Sequence, residues 1–289
     1  MPHSTKIFDR QVVTARREKA LAQIDYPDFL DELIARELVS RLDLIARDFS
    51  RCVIVGQSAP VFLEIIKSSP KLANVIAWQG VQGSGNMVFD SEWLPFKDNS
   101  LDCVIAGPGL EQVNDLPGTL IQINRALKPD GLFLGAMFGG LTLFELRHAW
   151  VLAEEQLGHG VSPRVAPFID VRQAGNLLQR AGLALPVADA DILTVRYDNA
   201  FALMKEVRKM GFSSGLMQRS NRFVSQRLLD LVEDCYNREF SDPDGRIRAC
   251  VEINYLTAWC PHESQQKPLK PGSAQKNLAE ILTPEKSGD

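Results

Sequence analysis

The 289-residue chain is long enough for one large domain, and a hydrophobic content of 45% supports a sizeable core. A net charge of only −4 argues against a nucleic-acid-binding protein, and five scattered cysteines without a CxxC pair argue against a disulfide framework or a zinc site. Without a signal-peptide core or a run of about 18 apolar residues, the sequence predicts a cytoplasmic protein with no membrane span.

The N-terminal part, residues 1–48, is predicted to be a helical segment. Residues 5–25 are charged and weakly patterned, whereas residues 26–45 have an apolar stripe at helical spacing and begin with Pro27. The stripe consists of Leu30, Leu33, Ile34, Leu38, Leu42 and Ile45. We therefore expect one amphipathic helix ahead of the main domain.

Strands and helices alternate in the next part of the chain. Strands are predicted at 52–56, 74–78, 101–106 and 132–138, and helices at 60–69 and 116–127, with a turn at 128–131. Such alternation is typical of a doubly wound α/β sheet, whose ligands bind beyond the carboxyl ends of its strands.

The second half contains more helix than strand. Helices are predicted at 141–157, 170–181, 199–210 and 222–239, and strands at 191–197 and 253–259. We expect the main domain to cover residues 49–265 and to be followed by a flexible, solvated tail at 266–289.

The first strand ends in the stretch CVIVGQSAPVF, where a nucleotide-binding protein would place its ligand-cradling turn. Gly56 allows close approach of a ligand, but Ser58 and Pro60 stand where further glycines would be expected, and proline lacks an N–H donor. An ordinary strand-to-helix turn explains the stretch as well as a cofactor turn does.

Two polar residues are candidates for holding a nucleoside. Gln79 follows the second strand, where a carboxylate on the ribose would be expected, and its amide oxygen could accept a hydroxyl proton. Asp90 could accept a hydrogen bond from an exocyclic amine such as that of adenine. The alternatives are a polar strand end for Gln79 and a loop-capping carboxylate for Asp90.

The sequence contains only weak signals for other catalytic or metal-binding sites. Glu145 and His148 are three residues apart on a predicted helix, which is ordinary for solvated pairs, and His262 and Glu263 follow the last strand. The four histidines form no metal-binding pattern, and the sequence has no GxSxG element.

Longer motifs give a more specific signal. They include LPFKDNSLD, VNDLPGTLIQINRALKPDGLFLGAMFGGLTLFELR, SPRVAPFIDVRQAGNLLQRAG and the closing HESQ. From about Ile7 to Gln265 the chain resembles the S-adenosylmethionine (SAM) methyltransferase-like assembly factors of respiratory complex I. These are related to the malonyl-carrier-protein methyltransferase of biotin synthesis. The resemblance implies a class I SAM methyltransferase (Rossmann-like) fold with seven strands, the last antiparallel, and a mitochondrial member associated with arginine hydroxylation.

The candidate cofactor-binding residues are Gly56, Gln79, Asp90, Ser91 and Leu110. Of these, Gly56 matches the first glycine of the family's cofactor turn and Asp90 its adenine-side acid, whereas the family's acid after the second strand is missing, with Gln79 nearby. The chain departs from the family pattern at Ile54, Ser58 and Pro60 in the cofactor turn. It departs again at Glu111 and Gln112, which replace a His–Trp pair at the cofactor border.

Two functions are therefore open. The first is a SAM-dependent methyltransferase-family enzyme, with hydroxylase-like activity included, that acts on a protein or carrier-bound substrate and is linked to complex I assembly. The alternative is a non-catalytic assembly or binding protein of the same fold that has lost SAM binding. A nucleic-acid methyltransferase is less consistent with the sequence, which has no basic patch interleaved with aromatic residues. The sequence identifies no catalytic residue and no metal.

Overall fold

The computed structural model describes residues 6–56, 58–78, 87–158, 160–220, 223–266 and 272–273. The described helices are α1 (Arg10–Leu21), α2 (Phe29–Asp43), α3 (Pro60–Lys67), α4 (Leu116–Ala126), α5 (Phe144–Leu157), α6 (Val171–Arg180), α7 (Ala200–Lys209) and α8 (Gln226–Phe240). The strands are β1 (Cys52–Val55), β2 (Val75–Trp78), β3 (Leu101–Ala106), β4 (Leu127–Phe138), β5 (Ala184–Tyr197) and β6 (Ile247–Trp259).

The strands form one sheet in the order β2-β1-β3-β4-β6-β5. The pairs β1–β2, β1–β3 and β3–β4 are parallel, whereas β6 is antiparallel to both β4 and β5. The doubly wound sheet and the antiparallel last strand are thus confirmed. The described residues contain six strands, so the predicted seventh strand is not confirmed.

The central strands are buried on both faces, which explains their continuous apolar runs. Cys52 and Ile54 of β1 pack in a core with α2 and α3, whereas Val53 and Val55 pack on the other face with α4 and α6. A third cluster joins α5, α7 and α8 to the start of β6. None of the described helices is long and apolar enough to cross a membrane.

Helix α1 lies in the weakly patterned part of the N-terminal segment and is stabilised through contacts with distant parts of the chain. Two predictions about local structure need correction. The predicted turn at 128–131 lies within β4 as an irregular stretch, where the register with β3 jumps from Leu127 to Leu132 and Asp130 has a φ of 63°. Strands β5 and β6 pair along almost their whole length and are longer than predicted. Most of the predicted tail at 266–289 lies outside the described residues.

Helix α1 is anchored by a buried cluster around Arg17. The Arg17 Nη2 lies 2.9 Å from Asp31 Oδ1 of α2, and its Nη1 donates to the Met210 carbonyl at 2.8 Å. The Tyr26 hydroxyl contacts both Arg17 and Asp31, and the guanidinium lies over the Phe212 ring. The charge is compensated by Asp31, so α1 is fixed against α2 and against the segment that follows α7.

Candidate functional site

The strand order reverses between β1 and β3, which is the switch point where doubly wound sheets bind ligands. Gly56 ends β1, and Gly107 follows β3 and donates its N–H to the Val55 carbonyl at 3.0 Å. The turns after these two strands therefore face each other at the carboxyl edge of the sheet. This edge is the candidate site.

The two turns pack directly on each other. Gly56 has a φ of 102°, and a Cβ there would meet the carbonyl oxygens of Gly107 at 3.1 Å and Pro108 at 3.2 Å. A Cβ on Gly107 would in turn lie 2.6 Å from Ser58 Oγ and 3.0 Å from the Phe62 ring. The open space that glycine leaves at these positions is taken up by the protein itself.

Asp90 is engaged by α1. Its Oδ1 accepts from Arg10 Nη2 at 2.7 Å and from the Glu92 N–H at 2.9 Å, and Arg10 Nη1 also donates to the Gln112 carbonyl at 3.3 Å. The carboxylate predicted to accept a hydrogen bond from adenine is therefore paired with an arginine from the segment 5–25. The Arg10–Asp90 contact joins residues 80 apart, and no local pattern in the sequence indicates it.

Asn114 fixes the segment before α1 against the wall of the cleft. Its Oδ1 accepts from the N–H groups of Ile7 and Phe8, both at 2.8 Å, and its Nδ2 donates to the Phe8 carbonyl at 3.1 Å. The Met217 N–H donates to the Ile7 carbonyl at 2.8 Å. One side chain of the VNDLP motif thus holds Ile7 and Phe8, just before α1, against the segment between β3 and α4.

These contacts leave little space at the site. The described residues enclose a cavity of about 30 Å³, which is lined from α1 by Arg10, Val13, Thr14 and Arg17, and from the sheet edge by Gly56, Ser91 and Gln112. Ligand pockets are usually about 300–1,000 Å³. The described residues at this edge of the sheet therefore leave no space for SAM in this arrangement.

The other predicted cofactor residues are distributed around this cavity. Ser91 is buried and lines it beside Gly56. Leu110 is buried within the hydrophobic core on the α4 side of the sheet. Gln79 lies outside the described residues. Within the described ranges, no group of three or more His, Cys, Asp or Glu residues could hold a metal ion.

Glu111 is the most perturbed acid near the site. It is only 8% exposed, its Oε2 accepts from the Gly109 N–H at 3.0 Å, and its Oε1 has no hydrogen-bond partner among the described residues. Burial raises the pKa of Glu111 to about 6, although the Gly109 N–H and the charge of Arg17 work in the opposite direction. A carboxyl that gains or loses a proton near neutral pH is typical of functional sites. The sequence marks Glu111 as a departure from the family pattern but does not reveal its burial.

A methyltransferase-domain family model matches residues 64–135. The mouse arginine-hydroxylase NDUFAF5, mitochondrial, is 34% identical over 97% of this chain and 85% of its own, and the human protein is 33% identical over 97% and 84%. A malonyl-[acyl-carrier protein] O-methyltransferase of Laribacter hongkongensis is 27% identical over 91% and 94%.

Among solved structures, a putative methyltransferase from Bacillus halodurans superposes with a TM-score of 0.52 at 15% identity, covering 79% of this chain and 99% of that one. This likeness supports the class I methyltransferase fold. The predicted cytoplasmic location is wrong, because the relatives at 33–34% identity are mitochondrial proteins.

The buried Glu111 predicts a pH dependence of stability. Its folded pKa of about 6 exceeds the ordinary value of 4.5, so between these values the folded state keeps a proton that the unfolded state releases. Stability therefore falls as pH rises through this window. Glu111→Gln imitates the protonated acid and should gain about 2 kcal/mol relative to the parent between about pH 4 and pH 7.

Urea unfolding at several pH values measures this difference. The same substitution at the exposed Glu155 of α5 controls for the loss of one negative charge. A Glu111→Gln advantage that is constant with pH, or that grows toward acid, would contradict the assignment.

Proposed function

The chain belongs to the family of the mitochondrial arginine-hydroxylase NDUFAF5, and from that premise we propose that it is a methyltransferase-fold assembly protein. It acts by binding a protein partner, a subunit of respiratory complex I, and does not hold SAM in the cleft between β1 and β3. The observation that carries this proposal is the closure of the cleft by α1, with Arg10 on Asp90 and a remaining cavity of about 30 Å³.

The packing of the turn after β1 also supports a protein that does not hold SAM in this cleft. The backbone of the turn after β3 occupies the space beside Gly56, and the Ser58 side chain and Phe62 ring occupy the space beside Gly107. The family model begins its match at residue 64, after β1 and this turn. A cofactor would therefore have to displace packed protein atoms as well as compete for Asp90.

A surface for the partner lies beside the closed cleft. Three large apolar side chains are exposed within seven residues around Asp90: Met87 at 39%, Val88 at 68% and Trp93 at 76%. Exposed aromatic and apolar residues grouped in this way mark protein interaction sites, and tryptophan is enriched among the residues that dominate binding energy. We assign the partner contact to this surface.

The second candidate is a SAM-dependent enzyme of the same family that acts on a protein or carrier-bound substrate. Glu111 favours it, because a buried carboxyl with a raised pKa lies at the carboxyl edge of the sheet. Asp90 and Ser91 also remain at positions that the family resemblance assigns to the cofactor. In the closed arrangement, however, Asp90 is paired and Ser91 faces a cavity too small for a nucleoside.

Calorimetric titration with SAM separates the two functions. For the purified full chain we expect no saturable heat up to about 1 mM ligand, and the same for Arg10→Ala, because the packed turns and the rest of α1 still fill the cleft. Asp90→Ala should behave identically. Micromolar binding by the parent chain that disappears in Asp90→Ala would contradict the proposal and favour the enzyme.

Capture of complex I subunits tests the partner directly. The immobilised chain should retain a subunit without added SAM, and Trp93→Ala should reduce its affinity by about tenfold or more, which is typical of a central aromatic contact. Phe223→Ala, at a fully exposed aromatic residue outside this surface, is the matched control. Failure to retain any subunit, or equal losses in both variants, would contradict this assignment.

A further inference from the structure

A second, larger cavity lies between α5, α7 and the sheet, and Phe212 lines both this cavity and the one in the cleft. Its volume is about 240 Å³, and its walls are mostly apolar. The principal lining residues are Leu146, Trp150, Leu203, Met204, Phe212 and Val251. A mostly apolar wall of this kind favours apolar ligands, because removing apolar surface from water is favourable.

The inner wall of the cavity carries few polar groups. The Arg164 charge is compensated by Glu154, with Nη2 and Oε1 2.9 Å apart, and its guanidinium lies over the Trp150 ring. The Ser214 Oγ is buried and has no hydrogen-bond partner among the described residues. The cavity thus offers an apolar wall and one unsatisfied hydroxyl near the segment that follows α7.

A basic concavity of about 530 Å³ adjoins the cavity and shares Arg208 and Ser213 with it. We call this concavity the basic mouth; its cationic residues are Arg16 and Lys19 of α1 and Lys205, Arg208 and Lys209 of α7. The two concavities are therefore neighbours, one with mostly apolar walls and the other with cationic walls, and they meet at Arg208 and Ser213.

The positive charge at the basic mouth is only partly compensated. Lys209 pairs with Asp25, and Arg16 donates to the carbonyls of Ser213 and Ser214. Burial and the nearby charges of Arg219 and Arg208 lower the pKa of Arg16. Lys19, Lys205 and Arg208 make no ion pair within the described part of the chain. An anion at this entrance would relieve the repulsion between like charges.

We propose that the two concavities form one binding site for a single-chain anionic amphiphile, with its alkyl chain in the apolar cavity and its carboxylate or phosphate at the basic mouth. The shared residues Arg208 and Ser213 place the charged entrance directly at the edge of the apolar wall. This site goes beyond the proposed function and depends neither on SAM nor on the protein partner.

The cavity volume sets the length of the chain. Each methylene group adds binding free energy only while it is buried against the apolar wall. Calorimetric titration of the full chain with straight-chain carboxylates should therefore show affinity that rises about fourfold per added methylene group and levels off once the cavity is filled.

The headgroup is tested with ligands of equal chain length. Octanoate and octyl phosphate should both bind, and 1-octanol should bind about tenfold more weakly, because it lacks the charge that pairs with the basic mouth. Arg208→Gln should weaken octanoate by about tenfold and leave 1-octanol unchanged. Arg36→Gln is the control, because Arg36 is an exposed arginine of α2 that lines neither concavity.

The position of the alkyl chain is tested by filling the cavity. Met204→Trp should reduce octanoate affinity by about tenfold or more, whereas Met217→Trp, at an exposed methionine outside the cavity, should not. The chain-length series uses the parent protein and tests the proposal even where the Met204 variant does not fold. Affinity that is independent of chain length, inorganic phosphate binding as tightly as octyl phosphate, or full binding by a folded Met204→Trp protein would overturn it.

Discussion

The position of α1 depends on the buried ion pair between Arg17 and Asp31. Arg10 and Arg17 are seven residues apart and therefore project from the same side of the helix, each toward a carboxylate on a different element. The two pairs differ in strength. The Arg10–Asp90 pair is partly exposed and contributes on the order of 1 kcal/mol or less, whereas removing one partner of a buried pair costs roughly 3–5 kcal/mol. A competitor for Asp90 would displace Arg10 easily, but Val13, Thr14 and Arg17 would stay in the cleft.

Because the buried Arg17–Asp31 pair is the stronger of the two, α1 restricts the access of ligands to the carboxyl edge of the sheet. The edge is polar, lies at the switch point of the strand order and belongs to a fold that binds nucleosides, yet α1 and the packed turns after β1 and β3 occupy it. The apolar cavity lies on the other side of Phe212, and the basic mouth adjoins that cavity at Arg208 and Ser213. Helix α1 contributes to both regions, with Arg10 and Arg17 at the cleft and Arg16 and Lys19 at the basic mouth.

The sequence predicts the parts of the fold that local patterns determine. Strand β3 is predicted with its observed bounds, and α2, α3 and β1 to within a few residues, since each has a clear apolar pattern and a recognisable end. Helix α1 has no such pattern. It is stabilised by Arg17 and by other contacts that join distant segments, and a local pattern does not reveal these contacts. The same holds for the site. Asp90 could be identified from motifs. Its pairing with Arg10, 80 residues away, and the burial of Glu111 arise only when distant segments come together in the fold.

Amide hydrogen exchange along α1 tests the central claim, that a buried ion pair holds this helix over the cleft. In the parent chain the amides of residues 13–21 should exchange slowly, with protection similar to that of α2. Asp31→Ala should abolish the protection of α1, while Glu32→Ala, which removes the neighbouring exposed carboxylate, should preserve it. Unprotected α1 amides in the parent chain, or unchanged protection in a folded Asp31→Ala protein, would contradict the account.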